Sequence, residues 1–190
     1  MPAKILAFSG SSRKGSLNKM LLAIAVRELR ALGAEVTVVD LREFNLPIYD
    51  GDVEAAGIPD GAKRLHAIFK AHNALLICTP EYNGGVAPLT KNSIDWVSRP
   101  MNGEPSLSAI MGKAVSILSA AVGLVGGSRQ QHQMRVSFQV MRCISVPETV
   151  NIPLAHTAFN EDGSLKDKAT HDMVVLAVKS LKSVADRLNP

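Results

Sequence analysis

The chain has 190 residues, 46% of them hydrophobic, with 21 basic and 17 acidic side chains and a formal net charge of +4. That length holds a full core, and residues 1–190 are expected to form a single domain. No apolar run approaches the ~18 residues that cross a bilayer, and the basic residues are scattered, which argues against nucleic acid as a partner.

Met1-Pro2-Ala3-Lys4 leads directly into a strand-like run rather than a secretory leader. The two cysteines, Cys78 and Cys143, lie far apart in apolar surroundings with no CxxC pair. That usage fits a reducing, cytoplasmic setting and a buried rather than catalytic thiol.

Lys4–Ser9 reads as a short apolar strand ending at Gly10. Over residues 17–32, Leu17, Leu21, Ile24, Ala25, Leu29 and Leu32 recur at helical spacing, and Gly33 stops the helix. Glu35–Leu41 is a β-branched second strand, and 42–59, with Pro47, Gly51, Gly57 and Pro59, reads as a long irregular loop. A helix over 60–71, a strand over Ala74–Thr79, a turn-rich loop over 80–88 and a helix from Leu89 to Val97 follow. Lys113–Ala120 is the fourth strand, 128–141 a helix, Cys143–Val146 the fifth strand, 147–165 a loop and 167–188 the last helix. Five alternations of strand and helix, with crossovers long enough for parallel pairing, predict a three-layer α/β domain. In such a sheet ligands sit beyond the C-terminal strand ends. The loops 10–16, 80–88 and 120–127 all leave strands at that end.

The first of these loops, Gly10-Ser11-Ser12-Arg13-Lys14-Gly15-Ser16, joins a strand to a helix. Small residues admit a phosphate, helix-start N–H groups point at it, and hydroxyls with one arginine add donors. It is not a dinucleotide fingerprint, because Ser12 stands where GxGxxG needs its second glycine. It is not a Walker loop either: Ser16-Leu17 replaces the lysine and metal-binding hydroxyl. It lacks the cysteine of a phosphatase loop. A metal-free cradle for one terminal phosphate remains, and flavin mononucleotide (FMN) is its natural candidate. The second loop, Pro80-Glu81-Tyr82-Asn83-Gly84-Gly85, frees backbone to approach a flat ligand and offers an aromatic surface. The third, Ser119 to Gly127, adds small residues and amides. His66, His72, His132, His156 and His171 show no HxxxH or HExxH spacing, so no metal is expected.

Gly10 through Asn18 resembles the GSxRxxSxN phosphate loop of the NAD(P)H-dependent FMN reductase family. Pro80-Glu81-Tyr82-Asn83 through Lys91-Asn92-Ser93-Ile94-Asp95-Trp96 is similar to its PEYN…KNxxDW segment, and Gly126-Gly127-Ser128-Arg129 to its glycine turn. Thr90 stands where the family has an apolar residue, and 150–190 carry no such signature. The resemblance implies a flavodoxin-like fold with a five-stranded parallel sheet in order 2-1-3-4-5. It implies that Ser11, Arg13, Ser16, Asn18 and the Leu17 N–H bind the FMN phosphate and ribityl chain. Pro80, Glu81, Tyr82, Asn83 and Gly84 would line the isoalloxazine, with Ser119 a further contact. Lys91, Asn92, Asp95 and Trp96 would fix the loop and helix. Arg129, His132 and Glu148 are candidates for the interface of a homodimer or homotetramer. No protein catalytic group is needed: hydride from NADPH or NADH reaches flavin N5, and a quinone, azo compound, free flavin or oxyanion such as chromate is reduced in a second, ping-pong half-reaction. A flavodoxin-type electron carrier is the alternative, although the chain is basic and only 4% aromatic where such carriers are acidic and cover the flavin with aromatic rings.

Overall fold

Three runs without a charge beyond their first residue, Lys4–Ser9, Ala74–Cys78 and Ala114–Ala120, form the centre of the sheet, and every residue in them but Lys4 is buried. The computed structural model describes residues 3–188; Met1, Pro2, Asn189 and Pro190, included in the single-domain expectation, lie outside the described residues. In chain order the elements are β1 (Lys4–Ser9), α1 (Leu17–Ala31), β2 (Glu35–Val39), α2 (Gly51–Ala56), α3 (Asp60–Lys70), β3 (Ala74–Cys78), β4 (Glu81–Tyr82), β5 (Gly85–Val86), α4 (Pro88–Val97), β6 (Ala114–Ala120), α5 (Ser128–Val140), β7 (Ile144–Ser145), β8 (Val150–Ile152) and α6 (Lys168–Leu188). Short 3-10 turns occupy Leu41–Phe44 and Ala155–Thr157.

The main sheet runs β2-β1-β3-β6, all parallel, and β7 and β8 share the edge beyond β6. This is the expected order 2-1-3-4-5 with the fifth strand in two pieces. β7 pairs with Ala114 and Val115, β8 with Leu118 to Ala120. The break follows Val146, whose N–H donates to the Val115 carbonyl at 2.9 Å; Pro147 has no N–H to continue the ladder. The Arg135 guanidinium donates to the carbonyls of Pro147 (3.4 Å) and Glu148 (3.1 Å) in the gap.

Helices cover both faces. Leu21 and Leu29 of α1 and Val174, Val178 and Leu181 of α6 pack with Ile5, Ala7, Leu76 and Leu118. Leu65 and Phe69 of α3, Ile94 of α4 and Met134 and Phe138 of α5 pack with Leu6, Phe8, Leu75 and Ile117 on the other face. Neighbours along each strand therefore point to opposite layers, as a strand's two-residue period requires. Cys78 is wholly buried and burial raises its thiol pKa, so it stays protonated and inert; Cys143 is pushed up to about 11 by the same cause.

Three expectations change. β2 ends at Val39 rather than Leu41, because the Asp40 carboxylate accepts the Arg42 N–H (3.0 Å) and turns the chain so that Leu41 and Phe44 enter the core. The expected loop 42–59 contains α2, capped by the Asp50 carboxylate on the Asp52 N–H at 2.7 Å. The expected loop 147–165 contains β8 and a 3-10 turn.

Asp40 also joins β2 to α1. The Arg42 guanidinium and Lys19 ammonium each reach Oδ2 at 2.9 Å, and together, Arg42 foremost, they hold the carboxyl well below the usual carboxylate range. A depressed folded pKa stabilises fully above the unfolded value of 3.8 and is lost as the pH falls below it. Asp40→Asn is expected to flatten the fall in urea stability between about pH 4 and pH 2, while leaving its slope near neutrality unchanged.

Candidate functional site

The first loop, Gly10 to Ser16, is built by close packing at its first residue. The Gly10 N–H donates to the Cys78 carbonyl at 2.9 Å, which locks the loop to the end of β3. A Cβ at Gly10 would lie 1.9 Å from Thr90 Oγ1 and 2.3 Å from Thr79 Oγ1, so only glycine fits. Those two buried hydroxyls bond each other at 2.7 Å, which explains a threonine at position 90: its polar group has a partner under the loop.

Ser16 ends the loop and caps α1, its Oγ accepting the Lys19 N–H at 3.3 Å. The N–H groups of Leu17 and Asn18, in the first turn, are the donors that a helix cannot satisfy itself. No acidic residue occupies that turn, so the positive end of α1 is unopposed. Arg13 lies on the exposed wall beside it, donating to the Gly15 carbonyl at 3.3 Å.

Asn18 lines the cleft and also ties two elements together. It is buried, its Nδ2 donates to the Ala120 carbonyl at 2.9 Å, and its Oδ1 accepts the Ala120 N–H at 3.0 Å. Its amide thus straps the start of α1 to the end of β6.

The second loop is a two-residue hairpin. Asn83 (φ 52°) and Gly84 (φ 76°) form the turn between β4 and β5, with Tyr82 opposite Gly85. Asn-Gly with both φ positive is the turn whose twist suits a hairpin. Glu81 faces inward from it. Its Oε2 accepts the N–H groups of Arg129 (3.0 Å) and Gln130 (3.2 Å), and its Oε1 pairs with the Arg129 guanidinium at 3.1 Å. This carboxylate therefore caps α5 with a negative charge at its positive end. Gln130 Nε2 donates to the Thr79 carbonyl (3.3 Å) and Gln133 Nε2 to the Gly84 carbonyl (3.0 Å), so α5 holds the hairpin at three points.

Ser11, Arg13, Ser16, Leu17, Asn18, Pro80, Glu81 and Tyr82 line one cleft of about 660 Å³, together with Ala120–Val125, Gly127 and Arg129. Asn83 and Gly84 form the hairpin turn and are not part of its lining. Nor is Ser119, which is wholly buried beneath Gly127, where a Cβ would come within 2.0 Å of its hydroxyl. The KNxxDW residues act at a distance: Asn92 accepts the Tyr49 N–H (2.7 Å) and donates to the Pro47 carbonyl (2.8 Å), which Trp96 Nε1 also reaches (2.8 Å). Lys91 pairs with Asp95 on the same helix. Of the interface candidates, Arg129 is held by Glu81, the exposed His132 contacts the Ser128 carbonyl through Nδ1, and Glu148 accepts from Ser180. A second groove, of about 550 Å³, lies between α1 and β2, but its carboxylate, Asp40, is committed to Lys19 and Arg42. Among the described residues, no three His, Cys, Asp or Glu side chains group as metal ligands, and no helix is long and apolar enough to cross a membrane.

What sequence reasoning missed is the structural use of Glu81 and Asn18. Their signals were present as a carboxylate 48 positions before Arg129 and an amide 102 positions before Ala120, separations that no local pattern reports.

A parallel α/β sheet with a phosphate-type loop opening on a cleft at the strand C-termini defines a flavodoxin-like protein. Residues 3–157 match the NADPH-dependent FMN reductase family, and the chain belongs to it. It is 34% identical over 187 residues to an NAD(P)H-dependent FMN reductase of Pseudomonas aeruginosa, covering 97% of this chain and 96% of that one. It is 36% identical over 161 residues to a quinone reductase of Pseudomonas putida, covering 84% and 82%. The fold superposes on the flavoenzyme NAD(P)H:acceptor oxidoreductase FerB of Paracoccus denitrificans with a TM-score of 0.81 and 24% identity, covering 97% of this chain and 98% of that one. The protein is accordingly an FMN- and NAD(P)H-dependent oxidoreductase.

Glu81→Ala removes the α5 cap and leaves its first N–H groups and Arg129 without their acceptor. It is expected to cost about 1–2 kcal/mol in urea denaturation, with Glu81→Gln losing less.

Proposed function

We propose that this chain oxidises NAD(P)H and reduces a small-molecule acceptor at the 660 Å³ cleft, with FMN as the resident cofactor. The acceptor is a quinone, an azo compound, a free flavin or an oxyanion such as chromate. The observation that carries the reading is the contrast between two helix starts. Both α1 and α5 begin at the cleft, but the N-terminus of α5 is already neutralised by Glu81, while that of α1 has no anion. A ligand's phosphate therefore has one place to go.

The residues present fit FMN. The cleft volume lies in the range of about 300–1,000 Å³ usual for small-molecule sites. Its α1 end offers the Ser11 hydroxyl, the Arg13 guanidinium and the Leu17 N–H to a phosphate. Ser16 keeps the first turn of α1 in helical geometry, and Asn18 sets the spacing between that turn and the end of β6. Pro80 and Tyr82 wall the other end, with Ala120 and Ala121 beside them. Asn83, Gly84 and Ser119 support this wall from behind. Bound there, FMN would supply the hydride-accepting N5 and pass electrons on in a second, ping-pong half-reaction. We place the protein in the cytoplasm as a homo-oligomer, dimer or tetramer, a placement that its free thiols and the exposed Val136 and Val140 on α5 favour.

The desalted protein is expected to show flavin absorbance that bleaches on anaerobic addition of NADPH. A protein without flavin that also fails to bind added FMN would defeat the reading. Arg13→Ala should raise the Kd for FMN about tenfold or more with an unchanged circular dichroism spectrum, because one charge-assisted contact of about 1.5–3 kcal/mol is lost. Unchanged affinity would remove the phosphate from the α1 end.

A further inference from the structure

We propose that Val122 and Leu124 are specificity-determining residues that favour acceptors carrying an aliphatic substituent; this rests on the FMN-cleft reading above. Both line the cleft, yet Leu124 is 81% and Val122 63% exposed, with Val125 at 40% beside them. Together with the half-exposed ring of Tyr82 they give the cleft an apolar lip. Apolar side chains held in water at the mouth of a site gain when an apolar ligand group displaces that water.

The lip is held in place by its backbone. The Ala121 N–H donates to the Ile152 carbonyl (3.0 Å), and the Ala121 carbonyl accepts from Ala155 (3.0 Å). The Gly123 carbonyl accepts from Leu154 (3.3 Å) and the Val125 carbonyl from Ser128 (3.1 Å). Gly126 sits so close to the backbone of 151–153 that a Cβ would fall 2.9 Å from it. The loop thus presents its side chains from a fixed frame, which is the requirement for selecting a substituent by shape and apolarity.

Charge points the same way. The cations of the cleft lining are Arg13, at the phosphate end, and Arg129, which is neutralised by Glu81. Neither is free at the lip to attract an inorganic oxyanion. A neutral ring bearing an alkyl chain can enter with its ring in the cleft and its chain on Leu124 and Val122. A bare oxyanion gains nothing from that surface.

The test uses the FMN-loaded full chain with saturating NADPH. It compares kcat/KM for a benzoquinone without a side chain and for the same ring carrying a decyl chain, with ferricyanide as a third acceptor. In the wild type the decyl quinone is expected to be favoured, and in the double variant V122S/L124S the decyl-to-unsubstituted ratio should fall about tenfold. Leu124→Met should retain the ratio. Because both positions are exposed, FMN content is expected to stay at the wild-type level in the double variant. A ratio that the substitutions leave unchanged would overturn the proposal. An equal loss with all three acceptors would overturn it too, by placing the effect on the flavin site. A shift to smaller species in sedimentation velocity with an unchanged ratio would assign the lip to a second copy of the chain. A wild type that holds FMN yet reduces none of the three acceptors from NADPH would defeat the parent reading and this proposal together.

Discussion

Both α1 and α5 start at the C-terminal edge of the sheet, and each presents the partial positive charge of unpaired N–H groups to the same cleft. Left alone, both would compete for an anion. Glu81 removes that ambiguity by giving α5 a carboxylate from within the chain, at 3.0 and 3.2 Å from two backbone nitrogens. The asymmetry leaves α1 as the helix start open to an anion, with Pro80, Tyr82 and the 120–125 lip at the other end of the cleft. The position of Glu81 depends in turn on the Asn83-Gly84 turn and on Gln130 and Gln133, which pin the hairpin to α5.

The rest of the cleft is a set of cross-ties between strand ends. Gly10 joins β1 to β3 through the Cys78 carbonyl, and Asn18 joins α1 to β6 through both atoms of its amide. Thr79 and Thr90 fill the space below Gly10 with a paired hydroxyl contact. Each tie spans elements that are distant in the chain, so a local change in one loop is resisted by another. A flat ligand held between such walls meets a preformed cleft, which reduces the ordering cost of binding.

Much of this was legible in the sequence, for physical reasons that differ by element. The central strands were legible because strands buried on both faces must be continuously apolar, as Leu75-Leu76-Ile77 is. The loop from Gly10 to Ser16 was legible as a strand–turn–helix junction whose Gly, Ser and Arg place donors at a helix start. The reading of Lys91, Asn92, Asp95 and Trp96 as structural fits their contacts with Pro47, Tyr49 and one another. The parts that were not legible were those decided by partners far along the chain. Nothing near Glu81 or Asn18 in the sequence reveals their bonds to Arg129 and Ala120. Ser119 alternates onto the α5 side of β6 and is covered by Gly127. The split of the fifth strand was foreshadowed by Pro147, but β8 beyond it is only three residues long and has no periodicity to read.

That split edge has a bearing on how the molecule keeps to itself. An outer strand with an unbroken row of N–H and C=O groups invites another strand to pair with it. Here the row stops at Pro147, and Arg135 occupies the two carbonyls that the interruption exposes. On the opposite rim of the sheet, Arg30 donates to the Val36 carbonyl of β2 at 3.1 Å. Both rims thus carry a guanidinium on the backbone, which places a bulky cation where an intruding strand would have to lie. The same proline that shortens the sheet equips it against growing by aggregation.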